Sequence, residues 1–338
     1  MTKLYQKMLK EAYGISADSE VSLGRYHGYK QNEGLYIIMA ANGRKEQEIS
    51  ELSRMIDHMH QHGDRHVSRL LPDKQGRQIC DWQDSQYCVL LNRAAPVPKE
   101  MKTGRKLAKF HMRGRRIPFK VESLNRVGEW KRLWEKRLDQ MEQVWSGKLY
   151  IPPENEFERM FIESFPYYMG IAENAIQYLA DAEIDEKPLQ MDSGTVCHER
   201  FTNAVWRGKY FIKNPFDWVF DHGSRDLAEW VRERYFSNIQ TSHPDIRKFL
   251  SEYQSVSVLS PFSWRLLYAR LLIPLHYFEC IENYYITHSE QMKHQLEDQL
   301  RKYLSQSSDH ERFLGSFYQL CDAPVKAAKL PAVDWLLR

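Results

Sequence analysis

The apolar pattern of this chain changes period once, near Arg93–Pro98, which restricts the fold to a small mixed part followed by a large helical one. Before the change, Val21–Tyr29 and Leu35–Ala40 are rich in β-branched and aromatic residues. They flank the polar turn Gln31–Gly34, which predicts paired strands. Arg77–Trp82 and Gln86–Leu91 repeat the pattern around Gln83-Asp84-Ser85. Two helices interleave with the strands. Leu4, Met8, Leu9 and Ala12 mark a short one that Gly14 ends, and Ile49, Leu52, Met55, Ile56 and Met59 give residues 45–62 one apolar face. The order helix, hairpin, helix, hairpin predicts a small antiparallel sheet with a helix packed on it.

Ala94-Ala-Pro-Val-Pro98 reads as a linker, since proline interrupts regular structure. Beyond it, Trp130, Trp134, Leu138, Met141 and Trp145 recur at helical spacing, the mark of a buried core face rather than of a ligand box. Further helices are predicted over 155–164, 167–181, 224–236, 243–252, 262–286, 288–304 and 308–321. Thr195–Phe220 interrupts them, with Val205–Arg207 and Tyr210–Ile212 forming a short hairpin that turns at Gly208.

Length and composition narrow the class. At about 150 residues per domain, 338 residues make two domains or one two-lobed unit. With 42% hydrophobic and 28% charged residues, a disordered chain is excluded. The five cysteines are odd in number, widely spaced and without a CxxC pair. They read as the reduced thiols of an intracellular protein. The longest apolar stretch, Leu266–Leu275, is broken by Arg270 and Pro274 and falls short of the roughly 20 residues a membrane span needs. The N-terminus lacks the apolar core of a signal peptide, so the chain is expected to stay in the cytosol unless recruited to a particle.

Three segments carry chemistry. Residues 102–120 hold eight Lys or Arg and no acid. Lys99–Arg137 alone is +10 in a chain of net +3, so charge is segregated. That segment suits nucleic acid, phosphates or an acidic partner, or is a solvated helical face. With only Phe110 and Phe119 interleaved, nucleic acid is not expected. His58, His60, His62 and His66 include an i, i+4 pair of the kind that suits a metal, but no HExxH pattern, so incidental imidazoles at an exposed helix end are the simpler reading. The third segment is the most informative. Cys197-His-Glu-Arg-Phe-Thr-Asn203, the predicted hairpin, then Ile212-Lys-Asn-Pro-Phe-Asp-Trp218 and Asp226-Leu-Ala228 follow the layout of a phosphoryl-transfer lobe. In such a lobe one loop supplies a catalytic Asp and a metal-binding Asn, and the next loop a metal-binding Asp.

With Lys106-Leu-Ala-Lys-Phe-His111 and Asp221-His-Gly-Ser-Arg-Asp-Leu-Ala228, these blocks resemble the CotS-like spore-coat proteins of Bacillus-type endospore formers. Those proteins look like the aminoglycoside phosphotransferase and choline kinase branch of the kinase-like fold. The resemblance covers nearly the whole chain. It implies an α+β, bilobal protein with a kinase-like N-lobe over 1–95 and a helical C-lobe over 96–338 carrying degenerate catalytic and metal loops. It also implies synthesis in the cytoplasm of a sporulating cell, a place in the spore coat and other coat proteins as partners, possible through the basic segment 102–120.

Residue by residue, the chemistry departs from the family. His198 matches the His of the family's H-x-D loop, but Arg200 stands at the Asp position, and Asn203 follows it by three residues instead of five. Counting twelve back from Asp226 gives Asn214 where the family has its magnesium Asp. Tyr36-Ile-Ile-Met39 places Met39 at the strand-lysine position, although Glu48 or Glu51 matches the helix carboxylate that would pair with the lysine. Arginine stays protonated and cannot take a hydroxyl proton. Asn214 offers magnesium one neutral oxygen, and Met39 offers phosphate nothing. The resemblance thus implies a pseudokinase with no catalytic residues, no metal and no cofactor. The alternative is an active ATP- and Mg-dependent phosphotransferase with Glu199 as base, Asp217 as metal ligand and Lys213 or the basic segment on phosphate. In the pseudokinase reading, Arg200 is either an internal cation in the vacated metal site, paired with Glu48, Asp217 or Asp221, or simply exposed.

Overall fold

The computed structural model describes residues 2–23 and 26–337. They fall into two compact units interleaved along the chain. One comprises Met1–Arg126, Ser193–Asp226 and Ser251–Val258, the other Val127–Asp192, Leu227–Leu250 and Leu259–Arg338.

The first unit begins with α1 (Thr2–Met8), which widens into a π-helical turn over Leu9–Tyr13 and ends at Gly14, whose φ of 74° is the left-handed cap glycine adopts most easily. The strands are β1 (Ser19–Leu23), β2 (Tyr26–Gln31), β3 (Gly34–Ala40), β4 (Arg69–Leu71), β5 (Cys80–Trp82) and β6 (Ser85–Arg93). They form one antiparallel sheet in the order β1-β2-β3-β6-β4, with β5 also on β6. The single strand predicted over Val21–Tyr29 is two paired strands, and its Gly24 and Arg25 lie outside the described residues. β4 carries no periodic signal of its own and was not predicted. Helix α2 (Glu46–Gln61) buries the predicted face of Ile49, Leu52, Met55, Ile56 and Met59. Met8, Leu9, Tyr29, Ile38, Cys80 and Val89 form a compact apolar cluster in this unit.

After the sheet the predicted linker is pinned. Pro96 bridges to Tyr210, and Ala95 accepts the Phe211 amide at 2.9 Å. The predicted hairpin at Gly208 does not form, because Tyr210 and Lys213 pair with Pro96 and Val67 instead of with residues 205–207. The hairpin-like pair is β7 (Thr195–His198) with β8 (Trp218–Asp221). Helix α3 (Thr103–Gly114) packs on β7. A Cβ at Gly114 would overlap the Thr195 hydroxyl and the Val196 amide, so glycine is what lets the strand come this close.

In the second unit, α4 (Trp130–Lys148) buries Trp130, Trp134, Leu138 and Met141 and leaves Trp145 half-buried. The helices predicted over 155–164 and 167–181 are one helix, α5 (Glu156–Asp185), with Pro166 inside it. Proline gives the Ile162 carbonyl no helical donor, and the Trp145 indole N–H supplies one at 3.0 Å. Asn155 caps α5 through the Glu158 amide at 3.1 Å. Helices α6 (Ser224–Ser237) and α7 (Ser242–Gln254) follow. The helix predicted over 262–286 is two, α8 (Pro261–Leu272) and α9 (Leu275–Ile286), because Ile273 leaves the helical region (ψ 121°) ahead of Pro274. Helices α10 (Glu290–Ser305) and α11 (Ser307–Leu320) complete it. The five cysteines are free and buried. Among the described residues, no helix is long and apolar enough to cross a membrane.

Candidate active site

The frame of the site is a buried carboxylate held between two imidazoles. His198, the last residue of β7, donates its backbone N–H to Asp226 Oδ1 at 2.9 Å and its Nδ1–H to Oδ2 at 2.7 Å. His111 donates Nε2–H to the same Oδ2 at 3.2 Å and accepts the Tyr253 hydroxyl on Nδ1 at 2.9 Å. All four side chains are buried. Burial works against the Asp226 charge, but the two imidazoles outweigh it and hold the carboxyl well below its usual range. Burial drives His111 down to about 4, against the pull of Asp226, so its ring is neutral. Arg225 completes the frame. It pairs with Asp221 at 2.9 Å and donates to the His198 and Glu199 carbonyls at 3.0 and 3.1 Å, fixing the chain as it leaves β7.

Beyond β7, Glu199 and Arg200 are both exposed and line different cavities. Arg200 lies on a cavity of about 440 Å³ with Tyr26, Ile37, His198, Asn214 and Asp217. Glu199 lies on another of about 480 Å³ with Met39, Arg44, Phe216 and, again, Tyr26 and Asp217. Asp217 thus borders both. Its Oδ1 accepts the Tyr26 hydroxyl at 2.6 Å and its Oδ2 accepts the Asn214 side-chain amide at 3.2 Å. Asn214 also accepts the Phe216 amide at 3.0 Å, as cap of the single turn Pro215–Asp217. Its amide approaches Met39 Sδ at 3.8 Å. Asn203 is half-buried in the turn after Phe201 and lines neither cavity.

The helix carboxylate has found another cation. Glu48 pairs with Arg44, which also donates to the Phe216 carbonyl at 2.9 Å and lies 4.9 Å above the Phe216 ring. Glu51 instead caps a loop. Its buried carboxylate accepts the backbone N–H groups of Glu122, Ser123 and Leu124 at 3.0–3.2 Å. Glu48 is on Arg44 and Asp221 on Arg225, and Arg200 stands exposed on the cavity wall.

Lys213 is corrected as a phosphate ligand. It is buried, with Nζ 2.6 Å from Asp64 Oδ2 and 4.7–4.8 Å from the Trp206 and Phe110 rings. Arg113 reaches the same Asp64 oxygen at 3.1 Å. Burial lowers the Lys213 pKa against the pull of Asp64, while Lys213 and Arg113 overcome burial to lower that of Asp64. Nothing in the sequence singles out Asp64, Arg44 or Tyr26. Each acts through a partner distant in the chain or through a loop without period.

Of the histidine cluster, His62 and His66 are exposed at the helix end as expected, whereas His58 turns inward. His58 is buried, and its Nε2 lies 2.9 Å from the Arg113 carbonyl. His62 stacks on it at 4.0 Å and turns Nδ1 to the His58 carbonyl at 2.9 Å. Among the described residues, the potential ligands that do converge are His111, Cys197 and Asp226. Both Asp226 oxygens are already taken, and the Cys197 thiol, pushed well up by burial, faces the Asp221 and His222 carbonyls at 3.5 Å. That set is framework rather than a metal centre. The basic segment is also divided. Lys106 lies over Phe211, Arg113 is on Asp64 and Arg115 is on Ser257, while Lys102, Arg105, Lys109 and Arg116 are exposed.

The family model "Spore coat putative kinase YutH" matches residues 6–317. The endospore coat-associated protein YutH of Bacillus subtilis (strain 168) is 40% identical over 332 residues, which is 97% of both chains. Among solved structures, an aminoglycoside phosphotransferase from Alicyclobacillus acidocaldarius superposes with a TM-score of 0.64 at 14% identity, over 92% of this chain and 94% of its own. A microcompartment-associated aminopropanol kinase gives 0.61 at 14% identity, over 98% and 99%. At that identity the likeness establishes the kinase-like fold.

Proposed function

The chain belongs to the spore coat YutH family, and from that premise we propose that it serves the endospore coat as a kinase-like protein that transfers no phosphate. The observation that most supports this reading is the neutral contact between Met39 and Asn214. These are the positions of the strand lysine and the magnesium aspartate, and phosphoryl transfer relies on both charges. Glu48, whose partner the lysine would be, is held by Arg44. Meanwhile His111 and His198 both bond Asp226, so the frame is held by side chains of the chain itself. In this reading the protein needs neither ATP nor magnesium. It is made in the cytoplasm of the sporulating cell and acts in the coat by binding other coat proteins.

The exposed arm of the basic segment is the proposed docking surface. Reversing the charge of Lys102, Arg105, Lys109 and Arg116 should disturb coat localisation and leave the melting temperature unchanged. Normal localisation would remove this surface from the account. Lys106 and Arg113 are unsuitable for that test, because both make internal contacts.

A second reading, an active phosphotransferase on a small hydroxylated molecule or a coat protein, draws support from Asp217, whose carboxylate borders both cavities, and from Glu199 on one of them. Incubation with Mg-ATP and purified coat extract, followed by phosphate transfer and ADP release, separates the two. The proposal expects no turnover in wild type. Turnover that Glu199→Gln or Asp217→Asn abolishes would establish the second reading.

A further inference from the structure

We propose that the sheet of the first unit carries a separate site for a small phosphate-bearing anion, outside the cavities that Asp217 borders. A concavity of about 550 Å³ is lined by Arg65, Arg69, Arg93, His60, Glu33 and Asn92, and shares no residue with either of those cavities.

Strand register builds it. Arg69 of β4 stands opposite Leu91 of β6, and Gly34 of β3 stands opposite Arg93. Residues directly opposite in an antiparallel pair share a face, as do residues two apart on one strand. Arg69 and Arg93 therefore project from one face of the sheet, on adjacent strands and two residues apart in register. The residue opposite Arg93 is glycine, and the Tyr36 ring of β3 lies over that position. Arg65 joins them from the turn that follows α2.

Among the described residues none of the three guanidiniums is paired with a carboxylate. Glu33 is the one acid in the lining, which leaves three positive charges against one negative. His60 adds no charge. Burial and then Arg69 lower its pKa, and its buried Nε2 has no partner. Like charges gathered round a concavity repel one another, and a dianion relieves that repulsion. The planar guanidinium fork matches phosphate oxygens two at a time, which favours phosphate over a simple halide. A cavity of this volume takes a small molecule rather than an extended peptide.

The test uses the full chain in EDTA, titrated calorimetrically with sodium pyrophosphate at constant ionic strength. Saturable one-site binding is expected, weakened at least tenfold in Arg69→Ala/Arg93→Ala and unchanged in Arg200→Ala/Arg207→Ala, which removes two arginines that line the cavity of about 440 Å³ instead. Arg69→Lys/Arg93→Lys, which keeps the charge and loses the fork, should fall between wild type and the alanine pair. Absence of binding at millimolar pyrophosphate overturns the proposal. So does binding that the Arg69 and Arg93 variants leave intact, or that the Arg200 and Arg207 variants abolish.

Discussion

Asn214 turns its side-chain amide toward the thioether of Met39, 3.8 Å away, and so brings two neutral groups together where the kinase-like pattern has an anion and a cation. Both residues are buried. Losing the lysine alone would have stranded a carboxylate in a low-dielectric site, and losing the aspartate alone would have stranded an ammonium. Replacing both leaves a pair that can pack without a metal or a nucleotide.

That coupling is measurable. Met39→Lys should destabilise the protein by about 3–5 kcal/mol, the usual cost of a buried charge without its partner. Asn214→Asp should also destabilise, because it removes the amide donor and sets a second carboxylate beside Asp217. The double variant should recover about 1–3 kcal/mol of the summed loss, read by urea unfolding as a double-mutant cycle. Additive losses would show that the two positions do not communicate.

Asp64 and Lys213 form the buried ion pair on which the loop before Asn214 rests. Asp64→Asn should cost about 3–5 kcal/mol, since it leaves the Lys213 amine without its carboxylate and enclosed by aromatic rings. Adding Lys213→Met to that variant should restore much of the loss. A cost below about 1 kcal/mol for Asp64→Asn, the range of an exposed pair, would mean that water reaches the pair and the enclosure is wrong.

The sequence shows the apolar faces well and the prolines poorly. The stripe on α4 and the face of α2 are where their spacing puts them, because helical periodicity is a local property. Pro166 and Pro274 look alike in sequence, yet α5 continues through the first and the chain breaks at the second. In each case the carbonyl four residues earlier is met by a side chain, Trp145 on Ile162 and Arg232 on Arg270. The two differ in the residue before the proline, since Ile273 leaves the helical region while Phe165 stays within α5. The motif residues His198, Arg200, Asn214 and Asp217 do gather round one cavity. What sequence could not reveal were the substitutes. Arg44 takes Glu48 from a loop, Tyr26 holds Asp217 from a strand 191 residues away, and Asp64 claims Lys213 across 149 residues. Such pairs leave no periodic trace.

The burial of His111 makes stability fall with acid in a defined window. His111 titrates near 4 in the folded chain and at the ordinary histidine value near 6.5 when unfolded. Its contribution is therefore complete above about pH 6.5 and lost as pH falls through 4, on the order of 3 kcal/mol in all. The charged and titratable groups facing it are Asp226, His198, Arg115 and Tyr253, and the Asp226 carboxyl titrates below this window. His111→Gln should be less stable at pH 7 and should lose less between pH 6.5 and 4 than wild type does. Parallel curves for the two proteins would show that His111 is not the group responsible.

The claim that this kinase-like protein has given up Mg-ATP is tested most directly by thermal unfolding of the purified chain with millimolar ATP, with and without magnesium. A ligand present at 100 times its Kd stabilises the folded state by about 2.7 kcal/mol, a readily visible shift. The account predicts no magnesium-dependent rise in melting temperature. A rise that requires magnesium and disappears in Asp217→Asn would contradict it, and would make Asp217 the metal ligand of a working enzyme.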